Sequence, residues 1–432
     1  MPFWSVLVLY RLLLPLLFLA AFPGWLVKML KRGGLRSGLL ERIAIYTSTR
    51  GCEPAAATHI HAISVGETLL ALKLIHEWRL QDPTRRFVLA TGTATGHQVA
   101  TAAAVSDLRV TYSPLDFPSM VRRYLTRFGP SQIILIEGEA WPHLLLICEK
   151  KSIPVYLINA RMSPRSARRF QKFAPWIRPF YQTLAGVAIQ EPADSSIWQT
   201  LGVPPSRIHC TGSLKLDSNS GPQPTRRPKF QALIDACGTG RPTVLAASTF
   251  PGEEAWIAAA IYQAAPHALP IIVPRHAERR NEVKAALQAA GFQPILRTEF
   301  SPPNRNERVC LVIDTTGELC DWTAHADAVI IGKSFLARGG QNPAEAIHAH
   351  KPLILGPHMQ NFEPLASRLI AAGACLLARD QAELTAAITT ALDIEQSRSM
   401  LPTASALLAH HEGATLRLIA LLRSAEISTG NS

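Results

Sequence analysis

Apolar positions follow two regimes along this chain. From Pro2 to Leu30 they run almost without a break, interrupted only by Arg11 and Lys28. Beyond that stretch, apolar runs of strand length alternate with segments of helical periodicity, and the runs end in glycine-rich or polar turns. A first series comprises His59–Val65, Arg86–Ala90, Gln132–Ile136 and Pro154–Ile158. A second comprises Thr243–Ala247, Leu269–Val273, Val309–Ile313, Ala328–Ile331, Pro352–Leu355 and Ala374–Leu377. Strands that alternate with helices through short loops predict parallel sheets covered by helices. Between the series, Asp217–Lys229 (DSNSGPQPTRRPK) is polar and rich in Pro and Gly, the composition of an interdomain linker. The pattern predicts an α/β chain with two Rossmann-like domains. An anchor occupies residues 1–30, a first domain 31–216, the linker 217–229 and a second domain 230–432. A length of 432 residues suits two ordinary domains better than one core.

The N-terminal run exceeds the ~20 residues a helix needs to cross hydrocarbon. Lys28, Lys31, Arg32, Arg36 and Arg42 close it or follow it, and such a cluster tends to stay cytoplasmic. The run lacks the charged start and the small-residue cleavage site of a secretory signal. Arg11, Pro15 and Pro23 disturb a clean span, so an interfacial helix in the headgroup region stands beside a spanning one. A buried core helix is the remaining alternative.

The formal net charge of +12, concentrated before residue 230, suits anionic headgroups or a phosphorylated substrate. The interleaving of aromatic and basic residues that marks nucleic-acid binding is not evident. Seven scattered cysteines, mostly inside apolar runs and without a CxxC pair, predict reduced buried thiols and no structural zinc site.

In open parallel sheets ligands sit beyond the carboxyl ends of the strands, so the residues after each run are the candidates. Glu67, in SVGE after the first strand, can serve as a general base; the plainer reading is a helix N-terminal carboxylate favoured by the helix dipole. EGEAWP places Glu137 and Glu139 after Gln132–Ile136. Arg161 and Arg165, in NARMSPRSARRF, suit phosphate through forked hydrogen bonds, or form a solvated helix face. Lys215, in TGSLKLD, is a cation at the edge of the linker. In the second half, Ser248 and Thr249 precede a helix in ASTFPGEE, a phosphate-facing terminus, and Arg275 and His276 close VPRH. Thr316, Gly317 and Glu318 follow the strand in DTTGE. In GGQNPAEA, Asn342 caps a helix that Pro343, Ala344 and Glu345 begin, and Glu345 can take ribose hydroxyls. His59 and His61 share a strand face and read as core residues rather than metal ligands. TGTATG lacks the Lys-Ser/Thr of a nucleotide triphosphatase loop.

Taken in order, SVGE, TGTATG, SPLD, EGEAWP, NARMSPRSARRF, TGSLKLD, ASTFPGEE, PRHAER, DTTGEL, GGQNPAEA and GPHMQNF resemble the 3-deoxy-D-manno-octulosonic acid (Kdo) transferases of lipopolysaccharide assembly nearly end to end. The resemblance implies a GT-B glycosyltransferase, inverting and metal-independent, with no cofactor. It implies transfer of Kdo from CMP-Kdo to the lipid A precursor at the cytoplasmic face of the inner membrane, beside anionic lipids. On matching positions Glu67 is the base, and Glu137 and Lys215 support the transition state. Arg275, His276, Thr316, Gly317, Glu318, Asn342 and Glu345 line the CMP pocket. Three positions depart from the family pattern: EGEAWP replaces ETELWP, Gln341 replaces a histidine, and Lys333 stands where a small residue is usual. A GT-B transferase for another nucleotide sugar and lipid acceptor, and a non-catalytic lipid-binding descendant, are the rival readings.

Overall fold

The structure, a computed structural model, describes residues 3–31, 35–46, 56–138, 141–217, 223–303 and 308–430. The chain forms two compact units: residues 1–220 with 413–432, and residues 221–412.

The first unit is built on a parallel sheet of β1 (Thr58–Ala62), β2 (Phe87–Thr91), β3 (Leu108–Tyr112), β4 (Gln132–Ile136), β5 (Val155–Ala160), β6 (Gly186–Ile189) and β7 (Ile208–Cys210), in the order β3-β2-β1-β4-β5-β6-β7. β1, β2, β4, β5 and β6 are buried along their whole length, as a parallel sheet covered on both faces requires. On one face Val121, Tyr124, Leu144 and Phe180 pack with Ile133 and Leu157. On the other, Leu70, Leu74 and Trp78 pack with Ile60, Leu89 and Ile134. His59 and His61 point into the Tyr124 side and are 0% and 3% exposed. His59 Nδ1 lies 2.7 Å from the Tyr124 hydroxyl, so the core reading of these histidines holds.

The second unit repeats the plan with β8 (Thr243–Thr249), β9 (Leu269–Pro274), β10 (Gln293–Leu296), β11 (Val309–Val312), β12 (Ala328–Ile331), β13 (Leu353–Leu355) and β14 (Leu376–Leu377), ordered β10-β11-β9-β8-β12-β13-β14 and parallel throughout. The helices Glu253–Ala264, Arg280–Ala289 and Gln381–Leu392 pack Ile257, Ile261, Leu287 and Ile388 over one face. Phe230 and Trp322 stack at 4.2 Å between the helices that carry them. The fold is GT-B, two doubly wound α/β units.

Two expected boundaries move. The second domain was expected to run to residue 432, but the last helix, Ala414–Gly430, belongs to the first unit. Leu418, Ile419 and Leu422 join the core beside Trp78, and Asp217 accepts hydrogen bonds from the Gly413 and Thr415 backbone N–H groups at 2.9 and 2.8 Å. The stretch 217–229 is also not free at either end. Arg227 pairs with Asp321, and its N–H donates to His325 Nε2 at 2.9 Å.

The N-terminal run forms one helix, Phe3–Lys31, that contains Pro15 and Pro23. Its most apolar window, Trp4–Gly24, is only 6% buried, which removes the buried-core alternative. One stripe nonetheless docks on the first unit: Leu7 is 3% exposed, the Tyr10 hydroxyl donates to Asp116 at 2.8 Å, and Phe18 meets Phe117 edge-on. Arg42 does not join a surface cluster as expected. It is 5% exposed, stacks on Tyr112 at 4.1 Å and donates to the Gly92 carbonyl at 2.6 Å. The side chains of Lys28, Lys31, Arg32 and Arg36 lie outside the described residues.

Candidate functional site

In the first unit the strand order reverses direction between β1 and β4, the position where such sheets bind ligands. Glu67 follows β1 and Glu137 follows β4, so the two carboxylates flank that point. Ser64 caps the Val65–Gln81 helix, its hydroxyl oxygen accepting the Glu67 N–H at 3.2 Å. In return Glu67 Oε1 accepts from the Ser64 hydroxyl and Oε2 from the Ile63 N–H, both at 2.8 Å. This is a variant of the capping box in which the carboxylate reaches the N–H one residue before the cap, and the Ser64-Val65-Gly66-Glu67 spacing makes it legible. The plain reading of Glu67 is therefore satisfied, yet the carboxylate also has further neighbours. Burial raises its pKa, the Ile63 and Ser64 hydrogen bonds oppose that rise, and then the charges of Glu137 (raising) and Lys215 (lowering) act on it.

Glu137 adopts a left-handed φ of 70° and forms an ion pair with Lys215, both side chains about one quarter exposed. A non-glycine residue in that region is strained and persists where the surroundings impose it. Its carbonyl accepts the Arg161 N–H at 3.3 Å, which joins the ends of β4 and β5. The Arg161 charge acts on Asp194, whose pKa burial raises to about 6.

Lys215 sits on a loop held from three sides by residues that the sequence reading did not select. Lys73 Nζ donates to the Leu214 and Asp217 carbonyls at 2.9 and 2.6 Å. Asn159, buried with φ 50°, accepts the Leu214 N–H on Oδ1 at 3.0 Å. Asp217 holds the start of the last helix. Arg165 stands exposed in the first turn of the Pro164–Tyr181 helix, and among the described residues it makes no hydrogen bond or ion pair with Glu67, Glu137 or Lys215. Glu139 lies outside the described residues.

In the second unit the reversal lies between β8 and β12. Ser248 ends β8 with φ 55°, and Lys333 follows β12 with φ 56°. Gly332 is required between them: a Cβ there would come within 2.6 Å of the Ser248 carbonyl oxygen and the Thr249 Cα. Glu253, 0% exposed, binds both turns together. It accepts from Phe250 N and Lys333 N at 3.0 and 2.6 Å, and from Phe335 N and Leu336 N at 3.3 and 3.4 Å. Thr249 donates to Glu254, which also pairs with Arg279. Glu253 escaped the sequence reading because GEE resembles ordinary first-turn acid.

Arg275 leaves β9, its N–H donating to the Thr249 carbonyl at 3.0 Å, and its charge acts on Glu345. Burial raises the Glu345 pKa, Arg275 opposes the rise, and the buried Oε2 has no hydrogen-bond partner among the described residues. Asn342 accepts the Ala344 N–H at 3.1 Å, the expected cap, with Pro343 and Ala344 buried behind it. His276 is half exposed beside Glu278. Thr316 and the left-handed Gly317 are exposed in the turn after β11. Glu318 is engaged in holding that turn: Arg297, the Thr315 hydroxyl and the Trp322 N–H all reach its carboxylate. Burial opposes its ionisation, and those partners outweigh burial to hold its pKa low.

A family model for 3-deoxy-D-manno-octulosonic-acid transferase matches residues 37–218. Over 378 residues the chain is 35% identical to the 3-deoxy-D-manno-octulosonic acid transferase of Bordetella pertussis, covering 84% of this chain and 86% of that one. The chain belongs to the Kdo transferase family. Its likeness to the Haemophilus influenzae enzyme of the same description is 32% over 90% of this chain and 91% of the relative. Among solved structures, Acinetobacter baumannii MurG aligns with TM-score 0.53, 13% identity and coverage of 86% and 100%. The UDP-GlcNAc 2-epimerase of Neisseria meningitidis aligns with TM-score 0.54, 13% identity and coverage of 85% and 99%. At such identities these two likenesses speak for the fold alone. Family membership makes this chain a glycosyltransferase of lipopolysaccharide biosynthesis.

Proposed function

We propose that the chain moves Kdo from CMP-Kdo to a hydroxyl of the lipid A precursor (lipid IVA), with inversion and without a metal ion or other cofactor. One observation carries the reading: Glu67, Glu137 and Lys215, from sequence segments far apart, influence one another's charge at the switch point of the first unit. In this reaction the acceptor oxygen bonds to the anomeric carbon from the face opposite CMP, and its proton passes to Glu67. The bond from the anomeric carbon to the phosphate oxygen breaks, and CMP leaves with the electron pair. Burial of Glu67 strengthens its hold on a proton, which suits a base working near neutral pH. Lys215, held by Glu137, supplies a positive charge where negative charge develops. In the second unit Arg275 supplies a cation for the phosphate, and Glu345 Oε2, without a partner among the described residues, supplies an acceptor for a ribose hydroxyl. Ser248 with the Thr316–Gly317 turn, His276 and Asn342 complete the donor side, with Thr249 buried behind them on Glu254 rather than facing the donor, and Arg161 and Arg165 complete the acceptor side. The exposed apolar helix supports a substrate presented by a membrane, here the cytoplasmic face of the inner membrane with its anionic lipids.

The test is to incubate the full chain with CMP-Kdo and a lipid A precursor, count added sugars by mass spectrometry, and read the product's anomeric configuration by NMR. Transfer with inversion, undiminished by EDTA, is expected. Preference for a UDP-sugar donor, retention of configuration, or loss of transfer on chelation would each overturn the corresponding part.

A further inference from the structure

The docked stripe of the N-terminal helix does not close completely on the first unit. Between it and the helices Pro118–Phe128 and Pro142–Lys150 lies a cavity of about 580 Å³. Trp4, Leu7 and Leu146 give it an apolar wall. Arg11, Arg122, Lys150 and Lys151 also line it, against a single carboxylate, Glu149. None of the residues assigned to sugar transfer takes part.

His143 makes this more than a charged surface. It lines the cavity and is 2% exposed. Its ring is fixed from behind: Nδ1 lies 2.6 Å from the Asp116 carbonyl oxygen. A carbonyl only accepts, so Nδ1 carries a hydrogen, with Asp116 Oδ2 3.5 Å from the same nitrogen; in the tautomer so fixed, Nε2 is the ring's acceptor. Asp116 is itself held by Tyr10, His143 N and Leu144 N, which fixes that orientation. Nε2 is buried and has no hydrogen-bond partner among the described residues. A buried polar atom left unpaired is costly, and this one needs a donor.

Beside the cavity, the helix exposes Val8, Leu12, Leu16 and Leu19 at 52–65%, a face suited to acyl chains. Arg11, a charge within this apolar helix, would be expensive facing hydrocarbon, and it lines the cavity instead.

We infer that the cavity binds one anionic glycerophospholipid with a hydroxylated headgroup, of the phosphatidylglycerol type. The phosphate diester meets Arg11, Arg122, Lys150 and Lys151, a headgroup hydroxyl donates to His143 Nε2, and the acyl chains follow the exposed face of the helix. This lipid is a bound companion rather than the sugar acceptor. The inference therefore stands or falls separately from the transfer reaction.

Native mass spectrometry of the detergent-solubilised full chain, titrated with dioleoyl phosphatidylglycerol or dioleoyl phosphatidylcholine, tests it. One phosphatidylglycerol should bind in preference to phosphatidylcholine. A basic group near an anionic headgroup is worth roughly fivefold in binding, so Arg122→Ser with Lys150→Ser, both exposed, should cost about thirtyfold. Phosphatidylmethanol, which lacks the hydroxyl, should bind about fivefold more weakly than phosphatidylglycerol to the unaltered chain, the worth of one hydrogen bond. The matched change Arg86→Ser with Lys172→Ser, away from the cavity, should leave binding unaltered. Equal binding of phosphatidylglycerol and phosphatidylcholine, or an equal loss in both double variants, would overturn the site. Parity of phosphatidylmethanol with phosphatidylglycerol would overturn the role given to His143.

Discussion

Replacing Glu67 by glutamine separates its two roles. The capping box tolerates glutamine as well as glutamate at this position. The amide oxygen can accept from Ile63 N–H, and the amide nitrogen can donate to the Ser64 oxygen, in place of the bonds now 2.8 Å long. What glutamine cannot do is accept the proton of an alcohol. General base catalysis is worth about 10²- to 10⁴-fold, so kcat for Kdo transfer should fall by that factor while CMP binding is unchanged. Stability supplies a second, independent readout. Burial raises the pKa of Glu67 despite its hydrogen bonds. A carboxyl whose folded pKa is raised contributes stability that is complete below its unfolded pKa and is lost as pH rises through the folded one. At neutral pH the ionised Glu67 is thus a net burden on the fold. Glu67→Gln should unfold at an equal or higher temperature than the parent at pH 7, and that advantage should vanish as pH falls into the ordinary carboxylate range. Glu67→Ala, by contrast, loses the reciprocal bonds at a cost of about 1 kcal/mol. Sugar transfer and thermal melts on both variants across pH 4–8 decide the matter. An active Glu67→Gln enzyme would refute the assignment of the base. A glutamine variant destabilised at pH 7 would refute the claim that the buried charge burdens the fold.

Asn159→Ala removes the acceptor of the Leu214 N–H and should loosen the loop that presents Lys215. About 1–3 kcal/mol of stability should go with the unpaired buried group, and kcat should fall at least tenfold, whereas Asn159→Asp, which keeps the acceptor, should restore much of the rate. Glu253→Ala strips the shared acceptor from Phe250, Lys333, Phe335 and Leu336; a shift in urea midpoint equivalent to about 3 kcal/mol or more is expected, with weakened CMP binding by calorimetry, and normal CMP affinity would show that these turns do not shape the donor site. Burial lowers His61 from 6.5 to about 4, so its contribution to stability is present above pH 6.5 and is lost as pH falls toward 4. That is worth roughly 3 kcal/mol, and His61→Phe should flatten the acid limb of a urea-midpoint profile; an unaltered limb would count against it.

What the chain discloses in advance depends on how far apart the interacting parts lie. The central strands β4, β8 and β12 are short, mainly apolar runs buried along their length, and β1 (THIHA) is equally buried although two of its five residues are histidines; the positions of all four followed from the local sequence pattern. β3, β6, β7 and β10 were not foreseen: β3, β7 and β10 are partly exposed and carry polar residues or proline (LRVTY, IHC and QPIL), while β6 (GVAI), buried throughout, is only four residues long. The Glu67 capping box is local and readable. Glu137 was selected for its charge and place, but its left-handed backbone is imposed by the surrounding fold.

The support of Lys215 shows the limit more clearly. Its loop is fixed by Lys73, 141 residues from Leu214, by Asn159, 55 residues away, and through Asp217 by a helix 196 residues on. No periodicity or motif spacing carries such information, since each partner is ordinary in its own neighbourhood: a lysine on a helix, an asparagine at a strand end, an aspartate before a polar stretch. The return of Ala414–Gly430 to the first unit has the same origin. Its apolar residues would have suited either unit, and the choice is made by Asp217 capping the helix start and by Arg417 donating to the Thr211 carbonyl. The same contacts that defeat a sequence-based domain boundary thus tie the candidate catalytic lysine to the end of the chain. Removal of residues 413–432 should therefore lower transfer as well as the stability of the first unit. A truncated chain that melts earlier but, when folded, transfers at the parental rate would show that the helix supports the core without positioning Lys215.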